Sequence, residues 1–390
     1  MRPIMSNPYL ITFTPIESFF FGGSVSFDDD YYVQSAKFPS QSTIMGALRT
    51  SLLIANGFLL QHRHARFVPK KYADEAAKLV GETSLNTFDE PDPNFGVIDK
   101  LSPCFLIQTN KDHSIANSYF PIPNDVIHYQ KKFQQIEYDF INGKAYNCGK
   151  DQEKVPLRQF KTSNASIKHK FIATGDYFGG KAFWHAYLAD HTPEAYSDII
   201  DVSEQCYINQ SQVGIGTDRG QTKEGQFYVK NDYYLKENFA FAVICHLKEF
   251  KPFTNTIVMG GEQSVFQITL SDLTHHPLSD HPIINHFITP TPLLPAKNQI
   301  ALSPLIADNH IFLDNAICHT LSTRMESVRM LYSVSKKNGS KRSDKQDLKT
   351  DAYRMIPAGT VFYLSDNESY ALPLVKGIPD IIGYNQLING

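Results

Sequence analysis

The chain has 390 residues, of which 42% are hydrophobic and 12% aromatic, and its formal net charge is −3 at pH 7. This length predicts two domains or one large one with a sizeable core, and the composition excludes global disorder. No stretch approaches about 18 consecutive apolar residues, so no membrane-spanning helix is expected. The lack of a basic excess excludes a protein that holds nucleic acid by bulk charge alone, so any RNA must be held by a local patch, backbone donors and partner subunits.

The amino-terminal segment and the cysteines bear on the compartment. Residues 1–17 lack a long apolar run and a small-residue cleavage site, so they are not predicted to be a secretory signal. The cysteines are scattered and include no CxxC pair; they are Cys104, Cys148, Cys206, Cys245 and Cys318. This spacing predicts reduced thiols in the cytoplasm rather than a disulfide framework or a zinc ribbon.

The first predicted strand is Tyr9–Phe13, a β-branched and alternating run. An aromatic and then glycine-rich segment follows at Phe19–Phe27, and three consecutive acids stand at Asp28, Asp29 and Asp30. Neighbouring residues of an extended chain point in alternating directions, so the acids are interpreted as a solvated loop rather than a metal site.

A helix is predicted over Phe38–Ala55, with Ser42 as its N-cap, because its hydroxyl can accept a backbone hydrogen bond from the first turn. The apolar positions that recur at helical spacing are Ile44, Leu48, Leu52 and Ala55. The opposite face carries Gly46, Arg49 and Thr50. Glycine in mid-helix costs about 0.5–1 kcal/mol relative to alanine. Either a neighbouring strand packs closely there and Arg49 is solvated, or another group approaches the helix backbone at Gly46 and Arg49 meets a negative charge.

A basic stretch follows the helix, from His62 to Lys71, and it includes His64. His62 and His64 are the histidines of this stretch. No second acid–base group in the sequence pairs with them, so they are interpreted as solvated residues of a basic surface.

The middle of the chain is less regular. Leu101–Thr109 predicts a strand, and Pro121–Pro156 predicts a polar insertion or long loop that could wrap a neighbouring subunit. Gly175–Ala182 has the glycine and lysine spacing of a phosphate-binding P-loop. Ala182 stands where that motif requires a magnesium-binding hydroxyl, so the segment predicts a tight turn into a helix at Lys181–Ala189 instead.

Gln212–Tyr228 predicts a glycine-rich β-hairpin, in which Gly214 and Gly216 give the connection backbone freedom. Arg219 and Lys223 lie at its tip. Glycines that expose amide N–H groups beside an arginine suit a sugar–phosphate backbone, and an ordinary flexible hairpin is the alternative.

Further along, Phe239–Leu247 predicts a buried strand that opens a second domain, and Gly260–Gly261 predicts a turn before a strand at Val265–Leu270. Thr360–Leu364 predicts a late strand. Strands and helices interleave without a regular βαβ rhythm, which predicts an α+β fold.

Two clusters of ionisable residues lie in this second half. Histidines gather with Asp280 between residues 275 and 286, at His275, His276, His281 and His286. Prolines at 277 and 282 predict a loop there, and the spacing fits no metal-ligand template, so no metal is predicted. A basic run follows in the predicted mobile loop 335–349; its cations include Lys336, Lys337, Lys341 and Arg342.

Four motifs occur together in one order: FFFGG (Phe19–Gly23), FPSQSTIMGALRTSLL within the predicted helix, QVGIGTDRGQTKEGQFY (Gln212–Tyr228) and MGGE (Met259–Glu262). This set resembles the RAMP superfamily of CRISPR proteins, and within it the third-subunit family of the type III-B Cmr complexes. The resemblance implies two tandem ferredoxin-like domains of the RRM type, with insertions and a glycine-rich hairpin. We place the domains at residues 1–235 and 236–390.

The resemblance also implies a function. Proteins of this kind are non-catalytic subunits of a CRISPR interference complex in antiviral defence. They bind the 5′ handle of the guide crRNA and contact the large polymerase-like subunit and the repeated backbone RAMP subunit. They meet target RNA only indirectly and need no cofactor. A glycine-rich loop near the C-terminus is implied to touch RNA, and Gly383–Gly390 matches it weakly.

Carried onto this chain, the handle lies against backbone glycines, with Arg49 and Arg219 paired to phosphates. The predicted RNA-binding residues are Gly46, Arg49, Thr50, Gly214, Gly216, Arg219, Lys223, Gly260, Gly261, Lys336, Lys337, Lys341 and Arg342. Two other functions stay open: a metal-independent endoribonuclease that processes guide RNA through His62 or His64, and an adaptor that binds only protein.

Overall fold

The computed structural model describes residues 6–22, 32–62, 65–88, 90, 92–112, 114–129, 132–135, 175–189, 196–218, 221–260, 262–274, 276–289, 298–307, 317–322, 326–328, 331–335, 345–349, 353–364, 372 and 374–389. The helices are α1 (Gln41–Ala55), α2 (Ala73–Val80), α3 (Lys181–Leu188), α4 (Val202–Gln205), α5 (Pro282–Ile288) and α6 (Ile378–Ile382), with 3₁₀ turns at Lys70–Tyr72 and Pro277–Asp280. Within these residues, no helix has the length and apolar character needed to cross a membrane.

The strands up to the long hairpin are β1 (Asn7–Pro15), β2 (Tyr32–Gln34), β3 (Leu60–His62), β4 (Ala65–Phe67), β5 (Ile98–Leu101), β6 (Phe105–Thr109), β7 (Ile115–Pro121), β8 (Val126–Tyr129), β9 (Lys132–Gln135), β10 (Tyr177–Gly179), β11 (Ile199–Asp201), β12 (Tyr207–Asp218) and β13 (Gln221–Leu235). The strands after it are β14 (Phe239–Leu247), β15 (Thr256–Met259), β16 (Ser264–Asp272), β17 (Asn298–Ala301), β18 (Leu305–Ile306), β19 (Ile317–Leu321), β20 (Glu326–Val328), β21 (Leu331–Ser335), β22 (Lys345–Lys349), β23 (Tyr353–Ile356), β24 (Val361–Leu364) and β25 (Leu387–Asn389).

A nine-stranded sheet organises the molecule in the order β11-β10-β7-β6-β14-β1-β16-β15, with β5 also paired to β14. Its pairings are antiparallel, and β1 lies between β14 and β16. The strands predicted from the alternating runs at 9–13, 239–247 and 265–270 are confirmed. The strand predicted over Leu101–Thr109 is wrong in its first half. The chain breaks between β5 and β6 at Pro103, which has no N–H to donate to a ladder.

Strand β14, near the centre of the sheet, is buried on both faces. All nine of its residues are buried. Phe241 and Val243 pack in a cluster with the apolar side of α1, whereas Ala240 and Ala242 pack in a second cluster with α3 and α5. Successive residues of β14 alternate between the two clusters, so both faces of the strand are covered and it is apolar almost throughout.

The last strands form smaller sheets, the largest of which has the order β19-β24-β17-β25. Ile300, Val361 and Ile388 from these strands pack in the same cluster as α3 and α5. The boundary predicted between residues 235 and 236 does not coincide with a break between sheets, because β14 and β16 pair with β1. The α+β class is confirmed, and the antiparallel sheets with packed helices are consistent with RAMP-type ferredoxin-like domains.

The N-cap of the helix that carries the second motif lies two residues before the predicted one. Ser40, not Ser42, is the N-cap, and its hydroxyl accepts a hydrogen bond from the Thr43 amide at 3.2 Å. Ser40 has extended backbone dihedrals, so it can turn its side chain back over the first helical turn. The predicted end of the helix at Ala55 is confirmed.

Strands β12 and β13 form a long hairpin that β2 extends by a parallel pairing. We call the three strands the ribbon. At its base, Tyr207 and Tyr233 are buried in the core beside Phe19. Farther out, Val213 is 62% exposed, and the register shifts between Ile215 and Thr217. The ribbon is therefore held at its base and carries an exposed apolar side chain beyond it.

Candidate nucleic-acid interface

The turn that follows β15 packs directly against the aromatic segment near the N-terminus. Gly260 has a φ of +82°, and a Cβ built there would lie 2.4 Å from the Phe20 carbonyl oxygen. The Phe20 amide in turn donates to the Ser264 hydroxyl at 3.3 Å. The fold therefore requires glycine at position 260, and it brings the first and last of the four motifs into contact.

Lys230 connects this turn to the base of the ribbon. Its ammonium nitrogen lies 3.2 Å from Asp232 Oδ1, 3.3 Å from Glu262 Oε2 and 4.9 Å from the centre of the Phe20 ring. The Lys230 and Asp232 side chains are 17% and 4% exposed, so this pair interacts with little screening by water, whereas the Glu262 side chain is 56% exposed. We call Phe20, Lys230, Asp232, Gly260 and Glu262 the Lys230 cluster.

Sequence reasoning missed Lys230 because only its neighbours in space reveal it. It stands in β13 directly opposite Gln212, the first residue of the hairpin motif. The Gln212 side-chain amide donates to Asp232 at 3.0 Å. The signal in the sequence that could have identified Lys230 is its position in the second strand of the predicted hairpin, directly opposite the first residue of the hairpin motif.

The structure uses Arg49 to hold the loop after α2. Its Nη1 donates to the Thr83 carbonyl at 2.8 Å and its Nη2 to the Gly81 carbonyl at 3.1 Å. The guanidinium carbon also lies 5.5 Å from the centre of the Phe95 ring, and burial lowers the pKa of Arg49. Carbonyls at the end of a helix lack intrahelical donors and carry partial negative charge, so they are natural partners for a cation. The predicted contact between Arg49 and a phosphate stays a prediction.

Gly46 lies one turn before Arg49 on α1, and the fold leaves room around it. A Cβ built at Gly46 would find only Leu85 Cδ1 within reach, at 4.0 Å. Thr50 donates its hydroxyl proton to the Gly46 carbonyl at 2.9 Å and thus satisfies itself within the helix. No close contact among the described residues requires glycine at position 46.

The other predicted contacts divide between the ribbon and undescribed segments. Gly214 lies in β12 opposite Tyr228, Gly216 lies where the ribbon register shifts, and Lys223 lies in β13. The remaining predicted contacts fall outside the described residues; they are Arg219, Gly261, Lys336, Lys337, Lys341 and Arg342. The structure thus brings Gly260 and the base of the ribbon together, and it places Arg49 in a separate contact network.

The P-loop-like segment is a turn into a helix, as predicted, and its helix N-terminus is already occupied. The carboxylate of Asp198 accepts from the Ala182 amide at 3.0 Å and from the Asn117 side chain at 2.9 Å. An acid at this position uses the amides and the positive dipole end that a phosphate would need. The N-terminus of α3 therefore does not bind phosphate in this arrangement.

Two residues of the histidine cluster, His276 and His281, are the N-caps of short helical segments. Nδ1 of His276 accepts from the Leu278 amide and Nδ1 of His281 from the Ile283 amide, both at 3.2 Å. Burial lowers the pKa of both imidazoles, that of His281 to about 3. The predicted loop is wrong here, since Pro277 and Pro282 each open a short helical segment, a position where proline is favourable. The described residues contain no group of three or more side chains arranged to hold a metal ion.

Two further predictions concern histidines after α1 and the C-terminal loop. His62 is the last residue of β3, and His64 lies outside the described residues. In the C-terminal segment Tyr384 is buried against Phe88, and Gly383 packs on Ser102, so this part of the predicted RNA loop lies in the core.

Comparison with known proteins gives one family and several distant structures. The family model described as "CRISPR-associated protein (Cas_Cmr3)" matches residues 11–390. Among curated proteins, no sequence matches the chain.

Three solved chains are similar to this one at low identity. A chain of the type III-B Cmr-beta complex bound to cognate target RNA is 14% identical, with 98% of this chain and 96% of that chain covered and a TM-score of 0.45. A chain of the same complex with AMPPnP also bound is 13% identical, with 91% and 86% covered and a TM-score of 0.40. A chain of the Csm3-Csm4 subcomplex of the type III-A interference complex is 10% identical, with 97% and 98% covered and a TM-score of 0.39.

Proposed function

Because the chain belongs to the family of CRISPR-associated proteins described as Cas_Cmr3, we propose that it is a non-catalytic subunit of a type III RNA-guided interference complex. In this role it binds the 5′ handle of the guide crRNA and anchors the large polymerase-like subunit to the repeated backbone subunit. The observation that carries the proposal is the family match, which spans nearly the whole chain.

The guide RNA lies against three glycine-bearing surfaces of the protein. They are the outer half of the ribbon with Gly214 and Gly216, the turn at Gly260 and Gly261, and the face of α1 at Gly46. Glycine lets a sugar–phosphate backbone come close enough for amide N–H groups to donate to phosphate oxygens. This mode of contact suits a chain whose net charge is −3.

Charge is supplied locally. Arg219 and Lys223 contact phosphates from the outer end of the ribbon, and the cations at 336–342 add to the field. Lys230, paired to Asp232 and Glu262, fixes the ribbon against the Gly260 turn rather than contacting RNA. Arg49 contributes indirectly, because it holds the loop between Gly81 and Phe95 in place.

The direct test compares two charge-removal variants of the intact complex. Arg219→Ala with Lys223→Ala removes the ribbon cations, and Lys248→Ala with Lys251→Ala removes two surface lysines paired to Asp99 and Glu249. Complexes purified through a tag on this chain are assayed for guide RNA per particle and for the salt dependence of guide retention.

We expect the ribbon variant to lose guide RNA and to lower the slope of log affinity against log salt by about 1.4, since each phosphate contact to a single strand contributes about 0.7. The control variant keeps both. Equal guide content and equal slopes in the two variants would contradict the proposed contacts.

The non-catalytic assignment has its own test. The purified unaltered chain and its His62→Ala and His64→Ala variants are each incubated with repeat RNA. We expect no specific cleavage; cleavage that His64→Ala abolishes would make the chain an endoribonuclease. Failure of the isolated chain and of the complex to retain RNA in a filter-binding assay would instead favour a protein-only adaptor.

A further inference from the structure

A small cavity lies where the C-terminal strand meets the central sheet. Its volume of about 20 Å³ is room for one particle of the size of a water molecule. The polar side chains that line it include Lys100, His246, His286 and Gln386. They come from β5, β14, α5 and the residue before β25, so four separate elements of the chain meet here. We call this space, with Lys100, His246 and His286, the basic cavity.

Two of the three basic groups stand side by side. Lys100 in β5 is directly opposite His246 in β14. Directly opposite residues of an antiparallel pair point to the same face, with Cβ atoms about 4.5–5.5 Å apart. Burial lowers the pKa of both His246 and His286, and the charge of Lys100 lowers each of them further. Both imidazoles are therefore neutral near pH 7 and lie within the field of the lysine.

Each imidazole has committed one of its nitrogens to the backbone. Nε2 of His246 donates to the Phe287 carbonyl at 2.8 Å, and His286 donates to the backbone of Leu387. A ring nitrogen that donates to a carbonyl carries the proton of the neutral ring, so the other nitrogen is an acceptor. A second proton turns that nitrogen into a donor, and an anion in the cavity would favour that proton.

Lys100 carries a charge for which the fold provides no close partner. In the part of the chain that the structure describes, its ammonium forms no hydrogen bond or ion pair. Burial lowers its pKa, and the carboxylates of Asp380 and Asp99 oppose this from beyond ion-pair distance. These acids use other donors: Asp380 accepts from the Gly377 amide at 3.2 Å and Asp99 from the Ser6 hydroxyl at 2.9 Å. A partly buried ammonium without a counter-ion is destabilising, so a bound anion would stabilise the fold.

We propose that the basic cavity binds one small monoatomic anion, of which chloride is the common example, together with one proton that is taken up by His246 or His286. Lys100 supplies a permanent positive charge, and the protonated imidazole supplies a second donor. Because the anion and the proton enter together, the net charge of this junction is unchanged. The proposal goes beyond the function proposed above and does not rest on it, since neither RNA nor another subunit takes part.

The size and charge of the cavity favour this ligand over two others. A metal cation would be repelled by Lys100, and two imidazoles are too few to hold it alone. A phosphate group, free or in RNA, is larger than this water-sized space. The remaining charged groups near the cavity are Lys248, which lies 3.9 Å from Asp99, and Lys376, whose charge acts on Asp380. These two lysines balance the two carboxylates, so the anion meets the charge of Lys100.

The test follows the stability of the full-length chain as chloride replaces gluconate, a bulky anion, at constant ionic strength, which keeps the screening of charges the same. Urea unfolding gives the midpoint at each chloride concentration, and saturation of its rise gives the dissociation constant. Lys100→Met removes the charge but keeps a side chain of similar length. Lys251→Met, which removes a surface lysine paired to Glu249, is the matched control.

We expect chloride to stabilise the unaltered chain and the control, and to leave Lys100→Met unaffected. Because one proton is taken up with each anion, the dissociation constant should rise at least about tenfold between pH 6 and pH 8. An equal response of all three proteins to chloride, or a dissociation constant that does not change with pH, would overturn the proposal. Phosphate that replaces chloride in this assay and needs Lys100 would overturn it as well, because the cavity would then admit a larger anion.

A crystal of the unaltered chain grown in sodium bromide locates the anion directly, and this measurement does not depend on whether a variant folds. Bromide is identified by its anomalous scattering. We expect a bromide peak in the basic cavity at pH 6, within hydrogen-bonding distance of the Lys100 ammonium, and a weaker peak at pH 8. A cavity that contains only water at both pH values would show that the lysine is solvated instead, and the proposal would be wrong.

Discussion

Gly46 on α1 and Gly260 after β15 look alike in the sequence, since both were predicted to admit an RNA backbone, yet the fold treats them differently. Gly260 has a positive φ and lies so close to the Phe20 carbonyl that no side chain fits. Gly46 is helical, and an added methyl group would meet only one side-chain atom, at 4.0 Å. The contacts within the fold account for the glycine at position 260, whereas no contact within the described fold accounts for the glycine at position 46.

Two cations of the described chain resemble Gly260 in that the fold accounts for them. Arg49 and Lys230 are both largely buried and bound to protein groups, so their charges serve the fold. A glycine or cation whose presence the fold already explains is weak support for a ligand contact, and one that the fold does not explain is stronger. By this criterion Gly46 is the better marker of an external contact on the described part of the chain.

The largest expected effect is that of Arg49→Ala. The substitution leaves the carbonyls of Gly81 and Thr83 without their donors and removes two charge-assisted hydrogen bonds, so we expect a loss of about 3 kcal/mol in the free energy of unfolding. Urea unfolding measures it, and Arg49→Lys, which keeps the charge but not the two-pronged geometry, should fall in between. Normal stability together with loss of guide RNA would break the comparison, because Arg49 would then act at the surface.

Gly260→Ala should destabilise the chain by about 2 kcal/mol, because alanine is strained at a positive φ and its Cβ overlaps the Phe20 carbonyl. The unfolding midpoint in urea measures this. A neutral substitution would show that the turn can move away from the aromatic segment, and Gly260 would then rank with Gly46 as a position free to contact RNA.

Acidification tests whether the buried imidazole of His281 contributes to the stability of the fold. The pKa of His281 is about 3 in the folded protein, because burial disfavours the imidazolium, whereas an unfolded histidine has a pKa near 6.5. The unfolded state therefore binds the extra proton first. This contribution to stability is complete above pH 6.5 and is lost as pH falls toward 3, by about 1.4 kcal/mol at pH 5.5.

The measurement is urea unfolding at pH 7.5 and pH 5.5 for the unaltered chain and for His281→Asn, whose side-chain carbonyl oxygen can accept the same backbone hydrogen bond. The variant should lose less stability on acidification. An equal pH dependence of the two proteins would show that other groups govern it, among them His246 and His286, whose pKa values burial also lowers.

The smallest expected effect has the opposite sign. Gly46→Ala should stabilise the free chain by about 0.5–1 kcal/mol, because the helix gains a better helix former and the methyl group fits. If an RNA backbone approaches this face, the same variant retains less guide RNA in the complex. A stabilised chain with unchanged guide retention would remove Gly46 from the proposed interface and leave the ribbon and the Gly260 turn.

The sequence alone determined the local elements of this protein. Alternation and helical spacing predicted β1, α1, β14, β16, β24 and the long hairpin, because burial of a strand or helix face imposes a period on its own residues. The missing hydroxyl at Ala182 was likewise enough to reject a P-loop. The four motifs also indicated the family, since each is a short stretch readable without its partners.

Only the tertiary structure decided how these pieces share their residues. The pairing of β14 and β16 with β1, the contacts of Arg49 with the loop after α2, and the ion pairs of Lys230 join residues that are tens to hundreds of positions apart. Nothing in a local pattern records such distances, because the free energy of a buried charge or a close glycine depends on which distant atoms surround it. For that reason the sequence identified candidate glycines and cations, and only the fold showed which of them make contacts within the protein.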